Sequence, residues 1–390
     1  MKQHLYEVDL MRALIIFGVV CVHTFAFYNL FTVPYSSVNL AFEGGLSAFH
    51  FTREAFMFIT GLVLFTTYYA KDFSVRDFWM KRFKLIAIPY VAWTLLYILF
   101  SGTYLPGFQW SFHTILQEFL TSLPTGNQFF LYYLVVSMQL YLVFPLFLQA
   151  VRRVRKGHGW IFAASFLLQV AMMAFDKGVL QTLNLSQLPA WLAFLIRDRD
   201  RFLLTYQFWF VAGALLAVHY VQVRDFVQRH GRWVITALCL SLLLLWGHFA
   251  YDRLILHQSE NLSVSVLQPI MVPYSLVVTL ALWWTGLQWA AVRTEARMRR
   301  FSKLVNFFGG ASFGVFLLHP LALHYVAAAV YAWHPSPGWR LAWVPVSLIL
   351  VYVSSATVAY WLGKVPLVGY LVGKKAVFHY RLQTGLSKVS

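Results

Sequence analysis

Charge is scarce in this chain of 390 residues. Only 12% of positions are Asp, Glu, Lys or Arg, against roughly 25% in ordinary soluble domains. Acids are scarcer still, 14 against 31 basic residues. A highly charged, disordered tail is excluded by that composition. Cysteine numbers two, Cys21 and Cys239, too few for a disulfide framework or a structural zinc site. No His/Glu pair has the spacing of a zinc-protease helix, so no metal site is expected. Internal repeats and low-complexity tracts are missing as well. What the chain has in excess is apolar: 60% of residues are hydrophobic and the mean hydropathy is +0.64. The formal net charge of +17 would point a soluble protein toward nucleic acid. In a membrane protein it is the surplus of Lys and Arg that sets topology, and no nucleic-acid partner is expected.

A helix crosses the hydrocarbon core with about 20 mostly apolar residues. Ten such runs are present, at 8–30, 46–70, 84–104, 129–151, 159–179, 202–221, 233–250, 267–291, 306–330 and 340–363. Placing the N-terminus in the cytoplasm puts 23 basic residues in inner segments and six in outer loops, namely Lys177, Arg197, Arg199, Arg201, Arg253 and Arg340. That asymmetry predicts an all-α, polytopic fold with about ten transmembrane helices and both termini cytoplasmic. The whole chain, 1–390, is read as one membrane-embedded unit with no appended soluble domain. Trp110–Leu123 and Leu188–Ile196 are expected to lie in the outer interface as short helices. The first run carries Arg12 and His23 and lacks a small-residue cleavage site, unlike a signal peptide.

Ionisable residues are expensive inside a bilayer, so those within the spans are functional candidates. They are Asp9, Arg12 and His23 in the first span, Arg53 and Glu54 in the second, and His319 and His324 in the ninth. Arg12 and His23, eleven residues apart, share a helix face to within about 20° and sit roughly 16 Å apart along the axis. A cation at the inner mouth and a titratable base deeper on the same stripe would suit one elongated ligand. The plainer alternative pairs Arg12 with Asp9 at i, i+3 and ties His23 to a backbone carbonyl. Arg53 and Glu54 point about 100° apart. One of them would face a polar cavity shared with His23, or the two would serve in interhelical ion pairs. His319 precedes Pro320, whose missing N–H frees a carbonyl one turn back. His319 therefore either faces a cavity or fills that gap in the hydrogen bonding.

Gly310-Ala311-Ser312-Phe313-Gly314 fits the nucleophile-elbow pattern, but it opens a membrane helix instead of joining a strand to a helix, so Ser312 is not read as a nucleophile. Lys81-Arg82-Phe83-Lys84 ends the loop into the third span. It anchors topology, and its charge-assisted hydrogen bonds would also suit an anionic cytoplasmic ligand such as phosphate.

Together these segments carry a resemblance. Asp9-Leu10-Met11-Arg12-Ala13 with His23 beyond it looks like the R-x10-H signature of the acyltransferase-3 family. Arg53-Glu54-Ala55-Phe56-Met57-Phe58-Ile59-Thr60-Gly61 resembles that family's F-F-x-x-S-G stretch, with Met57 and Thr60 in place of the usual Phe and Ser. Lys81-Arg82-Phe83-Lys84 followed by Ile88-Pro89-Tyr90 is similar to its basic-then-Pro-aromatic segment, with Lys84 where Arg is common. Phe208–Gly213 and Ser312–Pro320 match later family segments.

The resemblance implies a multipass O-acyltransferase in a cell membrane, here a bacterial plasma membrane. Such an enzyme moves an acyl group, acetyl or succinyl, from cytoplasmic acyl-CoA to a hydroxyl of a surface carbohydrate or lipid-linked glycan. The nearest subgroup acts on intercellular-adhesion polysaccharide. Acyl-CoA is then a co-substrate, and no cofactor is bound. Some members continue into an extracellular esterase-like domain; this chain would act alone or with a separate partner such as a glycan synthase or exporter. In this reading His23 is the general base and Arg12 holds the donor. Lys81, Arg82 and Lys84 are candidates for the CoA phosphates. Arg53, Glu54 and His319 support the site, with Arg53 or His319 at the tetrahedral oxyanion. The competing class is a polysaccharide or lipid-linked glycan exporter with the same charges lining a path.

Overall fold

The computed structural model describes residues 4–154, 156–333 and 337–374. Lys2, Arg155, Lys375, Arg381 and Lys388, counted above among the inner charges, lie outside the described residues. A chain apolar around its whole helical circumference has to satisfy its backbone internally, and the α-helix does so within one segment. The described residues accordingly hold helices and no strand.

In chain order the helices are α1 Tyr6–Asn29, α2 Ser37–Phe49, α3 Thr52–Tyr68, α4 Val75–Gly102, α5 Phe112–Ser122, α6 Tyr132–Arg153, α7 His158–Gly178, α8 Ala190–Arg197, α9 Gln207–Val218, α10 Tyr220–Arg229, α11 Gly231–Ala250, α12 Glu260–Ser263, α13 Met271–Val292, α14 Arg299–Trp333 and α15 Pro337–Leu362. Among the described residues nine segments are long and apolar enough to cross a membrane, or ten when the bent pair around His219 counts as one. The chain is a polytopic all-α membrane protein. Leu146, Leu167, Leu243, Leu244 and Ile349 stand exposed around the outside, as lipid-facing side chains do.

α1 is the hub. It packs against α2, α3, α13, α14 and α15, and Met11, Ile15, Ile16 and Val20 on it are fully buried. Gly309 brings its N-terminal turn close to α14: a Cβ there would stand 2.4 Å from the Asp9 carbonyl oxygen. The tightest crossing joins α3 to α9. A Cβ on Gly61 would meet Phe210 O at 2.2 Å, and one on Gly213 would meet Phe58 O at 2.0 Å. Small residues of this kind let membrane helices approach backbone to backbone.

The elements depart from the expected runs in four places, one being the ninth, which begins at Arg299 instead of 306. The second span begins at Ser37 instead of 46, because Ser36 caps α2 by accepting from Asn39 N. It is interrupted between Phe49 and Thr52, where His50 Nδ1 donates to Val264 O at 2.8 Å. The third span begins at Val75 instead of 84, capped by Ser74 on Asp77 N, so the basic run lies on a helix and not in a loop. The sixth run is not one straight helix. It bends by 93° at His219, whose Nε2 meets His158 Nδ1 at 2.9 Å. Short helices are present at both stretches expected to form them, as α5 and α8.

Candidate active site

α1, α3, α4, α6 and α14 enclose a cavity of about 410 Å3 near the Tyr6 end of the bundle. Its polar lining includes Arg12, Thr60, Arg82, Tyr133, Ser312 and Lys374. Arg12 reaches Asp9 only at 3.9 Å, with its side chain 36% exposed, so the expected i, i+3 pair exists but is loose. Asp9 is also held by His4 at 2.6 Å. Arg82 has no acid within ion-pair distance among the described residues; its guanidinium lies 5.6 Å from the Tyr141 ring and 5.9 Å from that of Phe78. Its Nε is buried without a partner. Arg82 is also within electrostatic reach of Arg12. Two like charges facing one cavity repel each other, and a bound anion would remove that cost.

Helical spacing divides the basic run. Lys81 and Lys84 share a side, and Arg82 turns about 100° away from Lys81. Arg82 therefore enters the main cavity, whereas Lys81 and Lys84 line an adjoining hollow of about 340 Å3 with Asp77 and Tyr370. Lys374, the third cation of the main cavity, escaped sequence reading. It follows a 3-10 turn, Val368–Val372, that folds back after α15. Trp93 Nε1 fastens this turn by donating to Leu371 O at 2.8 Å. Its only sequence signal was a lysine after the last span, which positive-inside topology explains equally well.

Farther along α1, roughly 9 Å from its Asn29 end, His23 stacks on Phe130 with ring centroids 3.6 Å apart. His319 lies 5.2 Å from His23 and 5.5 Å from Phe130, again stacked. The structure thus brings together two histidines that are 296 positions apart in sequence. The His23 ring makes no hydrogen bond among the described residues, so the expected carbonyl bond is not there. His319 fills the gap opened by Pro320: its Nδ1 lies 2.8 Å from Phe316 O and 3.1 Å from Val315 O. Phe316 connects the two regions, for it lines the cavity and its ring lies 6.3 Å from that of His319.

Arg53 and Glu54 do not line the cavity. Arg53 Nη1 donates to Tyr132 Oη at 2.7 Å and meets Asp200 at 3.7 Å. Glu54 is 1% exposed and its Oε2 has no partner. Arg53 is nonetheless within electrostatic reach of His23, on the side of the Asn29 end. Ser312 sits inside α14 with its Oγ donating to Gly309 O, a helix-interior bond and no elbow. His324 is packed among the rings of Phe100 and Tyr104, away from the pair.

Chemically, this is a cationic chamber at one end of α1 and a pair of imidazoles farther along the same helix, neither of which lines the chamber. Among known proteins, the family model described as an acyltransferase domain, that of acyltransferase family 3, matches residues 5–363. No curated protein and no solved structure matches the chain. The match runs from the first turn of α1 past the end of α15 and takes in Arg12, Arg82 and both histidines, though not Lys374, and on that ground this multi-pass membrane acyltransferase belongs to the acyltransferase-3 family.

Proposed function

We propose that the protein transfers an acyl group, acetyl or succinyl, from acyl-CoA to a hydroxyl of a cell-surface carbohydrate or lipid-linked glycan. The observation that carries this reading is the chamber itself: Arg12, Arg82 and Lys374 against a single acid, Asp9, on the same helix as His23. A nucleotide donor is polyanionic, and charge-assisted bonds to its phosphates would meet three cations that share one acid. Arg12 and Arg82 hold the donor, with Lys374 beside them and Lys81 and Lys84 in the adjoining hollow. The Tyr6 end then faces the cytoplasm, in keeping with the 23-to-six division of basic residues.

His23 takes the proton from the acceptor hydroxyl as that oxygen attacks the thioester carbon. A partly exposed ring free of hydrogen bonds suits contact with a mobile substrate. Arg53, held by Tyr132 and Asp200 on the far side of His23, supports the acceptor side, and Glu54 lies beside it. A glycan synthase or exporter supplies the acceptor as a separate partner.

The test offers radiolabelled acetyl-CoA to inside-out membrane vesicles carrying the protein. Label is expected in glycan with the wild type, and a loss of about 10²- to 10⁴-fold is expected with His23→Ala. Undiminished labelling by that variant would refute the role given to His23. Glycan movement without label would favour an exporter.

A further inference from the structure

The two nitrogens of His319 have different fates. Val315 O and Phe316 O are both acceptors, so the Nδ1 facing them at 3.1 and 2.8 Å carries the proton. In the neutral ring that leaves Nε2 as a lone pair. This Nε2 is buried without a partner, on a residue 0% exposed. A lone pair repels an oxyanion, so neutral His319 cannot serve as the oxyanion donor. It can accept a proton. A buried, unpartnered acceptor is unfavourable, and merely filling the Pro320 gap would not need one.

We infer that His319 is the proton relay of the site, receiving at Nε2 the proton that His23 takes from the acceptor. This rests on the acyl-transfer reading above. His23 is held by ring stacking alone, with no hydrogen bond among the described residues, whereas His319 is pinned through Nδ1. The acceptor oxygen attacks the thioester carbon, and its proton passes to His23. The C–S bond breaks with its electron pair on sulfur. The proton moves from His23 to Nε2 of His319 and then to the thiolate, leaving an ester, a thiol and two neutral rings. His319 does not itself line the donor cavity, so the thiolate has to reach it past Phe316, one turn back on α14, whose ring lines that cavity and lies 6.3 Å from the imidazole. The charged and titratable groups around the pair are Arg53 and His50 from the α2–α3 segment, both acting on His23. From α4, Tyr97 donates to Leu317 O at 2.6 Å, and from α6 Tyr133 packs on Phe316.

The deciding variant is His319→Asn, whose amide N–H can still donate to the Phe316 and Val315 carbonyls but which has no basic nitrogen. Full-length protein in vesicles would be given labelled acetyl-CoA, and glycan label would be read against pH. Hydroxylamine would be a second acceptor, since its nitrogen attacks without help from a base. His319→Asn is expected to lose about 10²-fold in glycan labelling, with one limb of the pH profile gone. KM for acetyl-CoA and acetohydroxamate formation should be retained. Wild-type glycan labelling by this variant would overturn the relay. So would equal loss of glycan and hydroxylamine transfer, which is what a purely structural role predicts. If His23→Ala labels glycan normally, the acyl-transfer reading of the pair fails first, and visibly so.

Discussion

At the Asn29 end of the bundle, cations meet acids. Arg253 donates to Glu43 at 2.9 Å, Lys177 pairs with Asp252, Arg199 with Asp176 and Arg201 with Asp198 at 2.9 Å. Four of the six basic residues assigned to the outer loops are neutralised in this way. At the Tyr6 end the ion pairs are between near neighbours in sequence, Arg224 with Asp225 and Arg297 with Glu295, and other cations meet carbonyls and rings. Arg152 donates to the backbone oxygens of Tyr68, Tyr69 and Lys71, Lys364 lies over Tyr360, and Arg82 lies among Phe78, Tyr68 and Tyr141. The first arrangement holds helices together; the second leaves positive potential for an anion. Opposite charges in contact cancel each other's fields, whereas a cation over a ring or a carbonyl keeps its net charge.

That contrast can be broken at either end. Arg253→Met leaves Glu43, which is 0% exposed, as an unpaired buried charge. A loss of about 3–5 kcal/mol in stability is expected, measured by thermal unfolding in detergent, with KM for acyl-CoA unchanged in the folded fraction. A melting temperature equal to wild type would show that the pairing is not structural. Arg82→Met is expected to do the reverse. Unfolding should be nearly unchanged while KM for acyl-CoA rises about tenfold or more, the worth of a charge-assisted bond. A fall in stability with KM untouched would move Arg82 to the structural class. The smallest effect is expected from Lys81→Ala with Lys84→Ala. These exposed side chains should give a few-fold rise in KM that disappears at high salt, because screening weakens solvent-exposed charge pairs most.

Much of the fold was legible from composition alone. Long apolar runs have few alternatives in a bilayer, and the ends of α1, α6, α7 and α13 lie within a few residues of the runs read for them. Two of the misplaced ends are set by local polar caps inside or beside apolar sequence, Ser36 for α2 and Ser74 for α4, and a third, the start of α14 at Arg299, extends through a basic stretch ahead of the apolar run. The shared stripe of Arg12 and His23 was legible because both lie on one straight helix, where 3.6 residues per turn fixes their direction. Arg53 and Glu54 were marked as unusual, but adjacent residues pointing 100° apart do not reveal which neighbour each will find. Lys374 was invisible, since only the fold-back after α15 carries it to the cavity.

The sequence by itself therefore determined the solvent, the approximate set of long apolar helices and the short roster of ionisable groups, because burying charge in lipid is costly enough to leave few exceptions. Tertiary structure decided which cations find acids and which histidine nitrogen stays without a partner. Those outcomes depend on contacts between residues hundreds of positions apart, such as Glu43 with Arg253 or His23 with His319. No local pattern encodes the distance between them.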